Sequence, residues 1–208
     1  RHTRFKCDWS SDVCSSDLPQ SPWTYLGHAR LAEILRQHDC AVRVMPVDLG
    51  GKVFPISGGL PLGQRAPQRQ AYRLVELQRF SHFLNAPLKL KPKYFPVAGD
   101  DASRLIIAVD QQHGVEAAMR ITAAVLAACW AQERNIADPK VLAELLLEQK
   151  LDPHCLEKAN SQGVQIAYEK YTEQAIAVGV FGAPSYVVDG EIFWGQDRLD
   201  FLDRRLAQ

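Results

Sequence analysis

The sequence has little that would direct it to a charged or lipid partner. Its 24 Lys and Arg residues equal its 24 Asp and Glu residues in number, so the formal net charge is zero. It lacks the basic excess that attracts nucleic acid or an anionic membrane. No apolar run approaches the ~20 residues of a membrane-spanning helix. We therefore expect a soluble globular protein with neither nucleic acid nor membrane among its partners.

The five cysteines form no recognisable site. No Cys-x-x-Cys is present, and Cys40, Cys129 and Cys155 are far apart, whereas Cys7 and Cys14 belong to an unusual N-terminal segment. This pattern argues against a disulfide framework, a zinc site and a dithiol oxidoreductase, and it favours reduced thiols in the cytoplasm. The histidines that we considered also lack metal-ligand spacing, so no metal is expected: His28, His82, His113 and His154.

Residues 1–18 do not read as part of a folded domain. They lack apolar periodicity and the apolar stretch of a signal peptide. Asp8 to Leu18 matches the in-frame translation of the end of a common short-read sequencing adapter. We interpret residues 1–18 as a non-native segment replacing the true N-terminus; a disordered native tail is the alternative. The native first strand is then missing or replaced, because the charged stretch His2–Trp9 suits a central strand poorly. Such a chain should be less stable than one with its natural N-terminus.

A helix start follows this segment. Ser21 suits an N-cap, and Pro22 suits the first helical position, where its missing N–H costs nothing. Apolar residues at helical spacing continue to Leu35. Residues 43–48 then read as a strand, which completes a βαβ unit. The Gly- and Pro-rich residues 50–66 read as an irregular loop near the carboxyl ends of the strands, where ligands bind in α/β folds.

The middle of the chain, residues 67–178, has a helical pattern. Arginines of its first helix, Gln68–Leu84, are expected mostly on a solvated face: Arg69, Arg73 and Arg79. Further helix starts carry a capping acid or a proline in the first turn: Asp101-Ala102-Ser103, Asp138-Pro139 and Asp152-Pro153. The loop closed by Tyr94-Phe95-Pro96 has two interpretations, an aromatic wall for an apolar pocket or packing in the core.

The C-terminal part, Gly179–Arg198, has the clearest local signals. Asp189-Gly190 lies between two apolar runs and predicts a hairpin turn. Pro184 directly precedes the first of these strands. Since proline cannot donate to a strand ladder, it must begin the strand or lie in a special turn. A helix start at Gln196 follows the second strand.

Two segments carry a resemblance to a known family: Ser21-Pro22-Trp23-Thr24-Tyr25-Leu26, and Phe181-Gly182-Ala183-Pro184 with Phe193-Trp194-Gly195-Gln196-Asp197-Arg198. Together they resemble the 2-hydroxychromene-2-carboxylate isomerases of the DsbA-like, kappa-class glutathione transferase group. The resemblance implies an α/β, thioredoxin-like fold formed by residues 19–66 and 179–208. Residues 67–178 would be a large all-helical insertion. It also implies a cis Pro184, with Ser21 in the slot of the attacking cysteine of thioredoxin relatives.

The first helix offers an anion site at its N-terminus, because backbone N–H groups and the positive end of the helix dipole converge there. Ser21 adds a hydroxyl donor but is a poor nucleophile without a base. A thiolate brought by a ligand suits this place, since helix N-termini lower thiol pKa values. The resemblance implies that the ligand is glutathione. The implied cofactor contacts are Ala183, Pro184, Gln196 and Asp197.

Three aromatic residues and one lysine complete the expected site. Lys52 is a candidate partner for a substrate or glutathione carboxylate, and a solvated loop lysine is the alternative. Trp23, Phe54 and Trp194 could wall a small aromatic substrate; for the two tryptophans, core packing is the alternative.

The expected function is glutathione-dependent cis–trans isomerisation of a 2-hydroxychromene-2-carboxylate-type intermediate of aromatic degradation, with Ser21 as the catalytic residue. Three alternatives stay open. A kappa-like glutathione transferase would release a conjugate from the same site. A DsbA-family thiol–disulfide oxidoreductase is disfavoured, because Ser21 replaces the cysteine. A non-catalytic module would bind glutathione only. The resemblance also suggests a homodimer.

Overall fold

The computed structural model describes residues 13–208. Within this range the sheet has four strands, β1 (Val13–Asp17), β2 (Val42–Pro46), β3 (Ser185–Val188) and β4 (Glu191–Trp194), in the spatial order β2-β1-β3-β4. β1 runs parallel to β2 and antiparallel to β3, and β4 is antiparallel to β3. β1 and β3 are therefore the central strands of a mixed sheet.

The helices of the described range are α1 (Pro22–Gln37), α2 (Phe54–Ser57), α3 (Pro67–Phe83), α4 (Asp100–His113), α5 (Val115–Trp130), α6 (Pro139–Glu148), α7 (Cys155–Ala159), α8 (Gln162–Val178) and α9 (Leu199–Leu206). α1 connects β1 to β2, and α3 to α8 lie between β2 and β3. This order confirms the expected βαβ unit, helical segment and terminal hairpin. In residues 13–208, no helix combines the length and the apolar character needed to cross a membrane.

The sheet is covered on both faces, and the alternation of side chains along its strands explains why. Val13 and Tyr186 belong to an apolar cluster with α1 and α9, while their neighbours Cys14 and Val187 belong to a larger cluster formed mainly by helices α4 to α8. Successive residues of a strand point to opposite faces. The buried strands thus join the two clusters into a layered α/β architecture.

The central strand β1 comes from the segment that we interpreted as non-native. The expectation for His2–Trp9 lies outside the described residues. Val13–Asp17 is hydrogen-bonded between β2 and β3, and all five of its residues are buried. β2 and β3 each have backbone N–H and C=O groups that need hydrogen-bond partners, and β1 provides these partners on both sides. Backbone pairing at this position therefore matters more than apolar side chains. The strand position is therefore filled by an unusually polar sequence.

Asp17 makes this strand costly at neutral pH. The residue is 2% exposed, and its carboxyl group accepts a hydrogen bond from the Ser15 hydroxyl at 3.0 Å. Burial raises the pKa of Asp17 from 3.8 to about 6, and the Ser15 bond offsets only part of this shift. A carboxyl group with a raised pKa stabilises the fold below its unfolded pKa, and this contribution is lost as the pH rises through the folded value.

We expect Asp17→Asn to increase the free energy of unfolding at pH 7 by about 1–2 kcal/mol, because the buried charge is removed. As the pH falls below the unfolded value of 3.8, Asp17 becomes protonated in both states and the difference should vanish. Denaturant unfolding of the two proteins between about pH 3 and pH 7 measures it. Buried His28, whose pKa is lowered by burial, changes the stability with pH in the opposite direction. Because His28 is present in both proteins, its contribution cancels when the wild-type stability is subtracted from that of Asp17→Asn. A difference that stays constant with pH would contradict the assignment to Asp17.

Two expectations for the helical segment are settled by its packing. The Phe95 ring lies 4.8 Å from the ring of fully buried Trp130, centroid to centroid, so Phe95 packs at the edge of the core. The expectation of a solvated face is wrong for Arg73, which is partly buried over these two rings. Tertiary contact with a loop some twenty residues further along the chain overrides the local pattern. Arg69 and Arg79 are exposed, as predicted.

Candidate functional site

Ser21 caps the beginning of α1. Its backbone is extended (φ −83°, ψ 124°), and its Oγ accepts a hydrogen bond from the backbone N–H of Thr24 at 3.2 Å. Pro22 occupies the first turn, so the predicted helix start is confirmed. Since Oγ acts as an acceptor in this cap, the hydroxyl hydrogen is left to donate to a ligand. Ser21 is 5% exposed, which makes such a bond less screened by water.

The turn before β3 lies at the same end of the sheet. The peptide bond entering Pro184 is cis, as the resemblance implied, and Pro184 is buried. Ser185 pairs with Ser16 in the antiparallel ladder between β3 and β1. Continuing that register places Pro184 beside Asp17, and the chain reaches Ser21 only four residues later. The start of α1 and the proline turn therefore share one edge of the sheet.

The backbone of Ala183 is open in this turn. Among the described residues, no backbone hydrogen bond uses its N–H or C=O. The surrounding groups are occupied: the Ser185 hydroxyl donates to the Gly182 carbonyl at 2.7 Å, and the Gly195 N–H donates to the Pro184 carbonyl at 2.9 Å. Ala183 is also partly exposed. An extended ligand can thus pair with this residue as an additional strand would.

A close approach joins α1 to the turn before α9. Gly27 lies so near this turn that a Cβ atom there would be 2.8 Å from the Gln196 Cβ and 2.8 Å from the Tyr186 hydroxyl oxygen. Gln196 is 3% exposed, and its side-chain Nε2 is buried without a partner among the described residues. The β1–β3 register relates the beginning of α1, with Ser21, to the turn of Pro184. The hydrogen bond from the Gly195 N–H to the Pro184 carbonyl connects that turn to Gln196, which also approaches α1 at Gly27. The structure therefore brings Ser21, Pro184 and Gln196 to one region.

Asp197 follows Gln196 but faces solvent. Its carboxylate is exposed and pairs with Arg198 at 2.9 Å. An exposed ion pair of this kind contributes little to stability, so the carboxylate can exchange its partner for a ligand ammonium. In residues 13–208, no group of three or more His, Cys, Asp or Glu side chains is arranged to hold a metal ion.

Lys52 and Phe54 lie in the segment that follows β2. Lys52 is exposed in a π-helical turn, Leu49–Val53, which is held by the Asp48 carboxylate accepting from the Gly51 N–H at 2.7 Å. The Phe54 ring lies against Gly59, where any side chain would collide with it. No hydrogen bond or ion pair in the described chain links Lys52 to the region of Ser21 and Pro184. The structure does not join these two residues to that region.

The two tryptophans lie on different elements. The Trp23 ring meets the Phe80 ring of α3 edge-to-face, with centroids 6.0 Å apart. The Trp194 ring is 51% exposed, packs on Phe181 at 4.8 Å and covers Gly182. The alternative interpretation of Trp194 as a core residue is therefore wrong. Its ring covers the turn before Pro184 from solvent. Trp23 is partly buried and forms a wall between α1 and α3.

The sequence analysis missed Gln20. Its side chain lies against Gly99 at the start of α4, and its Oε1 is buried without a partner among residues 13–208. The next residue of α4, Asp100, accepts a hydrogen bond from the Tyr168 hydroxyl at 3.1 Å. Gln20, the residue directly before Ser21, therefore contacts the beginning of α4 in the helical segment. A single polar residue in a connecting loop gives no periodic signal, so its sequence context could not reveal this role.

Cysteine thiols are not placed at the helix start. Cys129 and Cys155 are buried in the helical segment, and burial raises the pKa of Cys129 to about 12. A thiol with such a pKa is a weak nucleophile at neutral pH. Neither of these two cysteines lies on α1, whose N-terminus carries Ser21.

Comparisons with known proteins agree on the fold. The sequence model of the DsbA-like thioredoxin domain family matches residues 16–207. A relative from Sphingobium xenophagum named 2-hydroxychromene-2-carboxylate isomerase is 28% identical over 187 residues, covering 89% of this chain and 93% of its own. A second one of that name, from Pseudomonas putida, is 25% identical over 191 residues, covering 90% of each.

Solved structures with low sequence identity share the architecture. A 2-hydroxychromene-2-carboxylate isomerase superposes with a TM-score of 0.79 at 23% identity, covering 94% of both chains. The cytosolic disulfide reductase DsbM from Pseudomonas aeruginosa with GSH gives 0.66 at 18% identity, covering 94% of this chain and 99% of that one. Because the family's sequence model extends over nearly all described residues, the chain belongs to the DsbA-like thioredoxin domain family.

Proposed function

We propose that this protein is a glutathione-dependent cis–trans isomerase of a small aromatic acid of the 2-hydroxychromene-2-carboxylate type. The observation that carries the proposal is buried Ser21 at the N-terminus of α1, at the same end of the sheet as the turn of Pro184. This position can stabilise a thiolate but provides none, so the thiol must come from a cofactor. Two relatives carry the isomerase name, and they align over about nine-tenths of this chain at 28% and 25% identity.

The residues present suit glutathione. The open N–H and C=O of Ala183 match the main chain of a cysteinyl residue, and the unpartnered Nε2 of Gln196 can donate to a carboxylate. Asp197 can accept the α-ammonium of the γ-glutamyl end, and Lys52 remains the candidate for the other carboxylate. With glutathione held by these contacts, we propose that its sulfur lies at the Ser21 hydroxyl.

The protein's part in the reaction is electrostatic. When bound, glutathione would supply a nucleophilic thiol for reversible addition to a conjugated double bond of the ring-opened acid, the chemistry that permits rotation about that bond before elimination. The Ser21 hydroxyl donates a hydrogen bond to the sulfur anion, and the N–H groups of α1 add the positive end of the helix dipole. Trp23 and Trp194 exclude water beside the aromatic substrate, with Phe54 as a further candidate wall.

Location and assembly follow from the same proposal. A reducing cytoplasm suits a protein whose thiols at Cys129 and Cys155 are buried and whose cofactor must remain reduced. A homodimer stays a prediction of the resemblance.

Product analysis tests the proposal. Incubation with 2-hydroxychromene-2-carboxylate should give the trans benzylidenepyruvate only when glutathione is present, and glutathione should not be consumed. Chromatography of substrate, product and thiol measures both. A stable glutathione conjugate with a chloronitrobenzene, without isomerisation, would favour the transferase. Reduction of insulin disulfides would favour the oxidoreductase, and binding of glutathione without any turnover would leave a binding module.

A further inference from the structure

Arg73 of α3 lies in unusual surroundings for an arginine. Its guanidinium carbon is 5.5 Å from the centre of the Phe95 ring and 5.7 Å from that of the Trp130 ring. The side chain is only partly exposed. Aromatic faces attract a cation, but they do not neutralise its charge. One side of the guanidinium group is thus fixed by rings, and its hydrogen-bond donors need partners elsewhere.

No carboxylate in residues 13–208 forms an ion pair with Arg73, although other arginines of the same segment have one. Arg79, on the same helix, pairs with Glu76 at 2.7 Å, and Arg134 pairs with Glu144 at 2.8 Å. The Nε1 of Trp130 is also buried without an acceptor in the described chain. The environment of Arg73 therefore has an excess of donors over acceptors.

A second positive charge increases this excess. The charge of Arg65 acts on Arg73, and the Arg65 side chain is fixed by a hydrogen bond from its Nε to the Leu60 carbonyl at 2.8 Å. Burial and the charge of Arg65 lower the pKa of Arg73 to about 10, so Arg73 remains a cation at neutral pH. Two neighbouring cations without counter-ions are a place where a bound anion would relieve repulsion and desolvation.

Arg73 is connected to the candidate site through α3. Phe80 is seven residues after Arg73, so the two side chains share one face of the helix about 10 Å apart along its axis. Phe80 contacts Trp23, which is two residues from Ser21. On the other side, the loop carrying Phe95 continues to Gly99, against which Gln20 packs. A series of aromatic contacts thus connects the beginning of α1 with the surroundings of Arg73.

We propose that Arg73, with Arg65 beside it, binds the carboxylate of a small aromatic acid and so determines which substrates reach the cofactor thiol. The identity of the natural acid rests on the proposed function, whereas the binding itself does not. A guanidinium group can bind both oxygens of a carboxylate with parallel hydrogen bonds, and its flat face packs against the substrate ring. A neutral aromatic molecule of the same shape gains only the contact with the rings.

Binding of 2-hydroxycinnamate and of its uncharged amide tests the inference without any turnover. Isothermal titration calorimetry at low salt compares wild type with Arg73→Gln, Arg65→Gln and the control Arg69→Gln, which removes an exposed charge one turn earlier on α3. We expect Arg73→Gln to weaken binding of the acid at least about tenfold and Arg65→Gln several-fold. Arg69→Gln should have no effect, and the amide should bind all four proteins equally.

Two results would overturn the inference. In the first, Arg73→Gln weakens binding of the acid and of the amide equally. In the second, Arg73→Gln leaves binding of the acid unchanged. Arg73→Lys keeps the charge but not the paired hydrogen bonds, so it should bind the acid with intermediate affinity. If Arg73→Gln does not fold, Arg73→Lys and Arg65→Gln decide, and wild-type affinity in both would overturn the inference.

The isomerase assay separates this inference from the proposed function. Wild type that binds the acid through Arg73 but does not isomerise would refute the function alone. Wild type that isomerises, with an unchanged KM in Arg73→Gln, would refute the carboxylate site alone.

Discussion

Replacing Ser21 with alanine should lower the turnover number of the isomerisation about 100-fold or more, with glutathione still bound. Ser21 Oγ accepts the capping bond of α1 from the Thr24 N–H, so its hydroxyl hydrogen is left as the donor to the thiolate. Loss of one donor to a developing anion typically has an effect of this size. The variant should remain folded, because the lost N-cap costs only about 1 kcal/mol. Steady-state rates at saturating glutathione measure the loss.

Ser161→Ala is the matched control for this substitution. Ser161 caps α8 through the same contact, from the Val164 N–H to its Oγ at 3.4 Å, and it lies on another element. It should lose a similar amount of stability and keep full turnover. Unchanged turnover in Ser21→Ala would exclude Ser21 from the mechanism, and equal loss in both variants would indicate that helix capping alone explains the effect.

Gly27→Ala should lower the free energy of unfolding by about 2–3 kcal/mol, although alanine is the better helix former. The added Cβ would be 2.8 Å from both the Gln196 Cβ and the Tyr186 hydroxyl, so α1 must move away from the turn before α9. Urea unfolding measures the change in stability. Because Gln196 is a proposed cofactor contact, the affinity for glutathione should decrease as well.

Gly163→Ala provides the comparison for Gly27→Ala. Gly163 is in the first turn of α8, and no atom lies within 4 Å of an added Cβ. This substitution should be neutral or stabilise the protein by up to about 1 kcal/mol. If Gly27→Ala behaved in the same way, the close contact between α1 and the Gln196 turn would be refuted.

The parts of the fold that depend on neighbouring residues were predictable from the sequence. The hairpin at Asp189-Gly190 formed as expected, with both residues at positive φ (50° and 84°), the conformation that this pair favours. The N-cap at Ser21 and the proline turn at Pro184 were likewise predicted, because each is determined by a few consecutive residues. The relation between these two places came from the family resemblance.

The parts that depend on distant contacts were not predictable. Val13–Asp17 has a polar sequence, and it becomes a central strand because β2 and β3 provide ladders on both sides. Arg73 follows the pattern of a solvated helix face, yet its guanidinium group lies over the rings of Phe95 and Trp130. Gln20 reaches Gly99 across the boundary between β1 and the helical segment. Local patterns carry no information on such neighbours.

The most direct test of the account is a titration of the glutathione thiol bound to the protein, followed by the ultraviolet absorbance of the thiolate, with S-methylglutathione as the blank. The account predicts that the bound thiol has a pKa about one unit or more below that of free glutathione, and that Ser21→Ala reverses part of this shift. A bound thiol that titrates like free glutathione in the wild-type protein would contradict the central claim that α1 and Ser21 stabilise a cofactor thiolate.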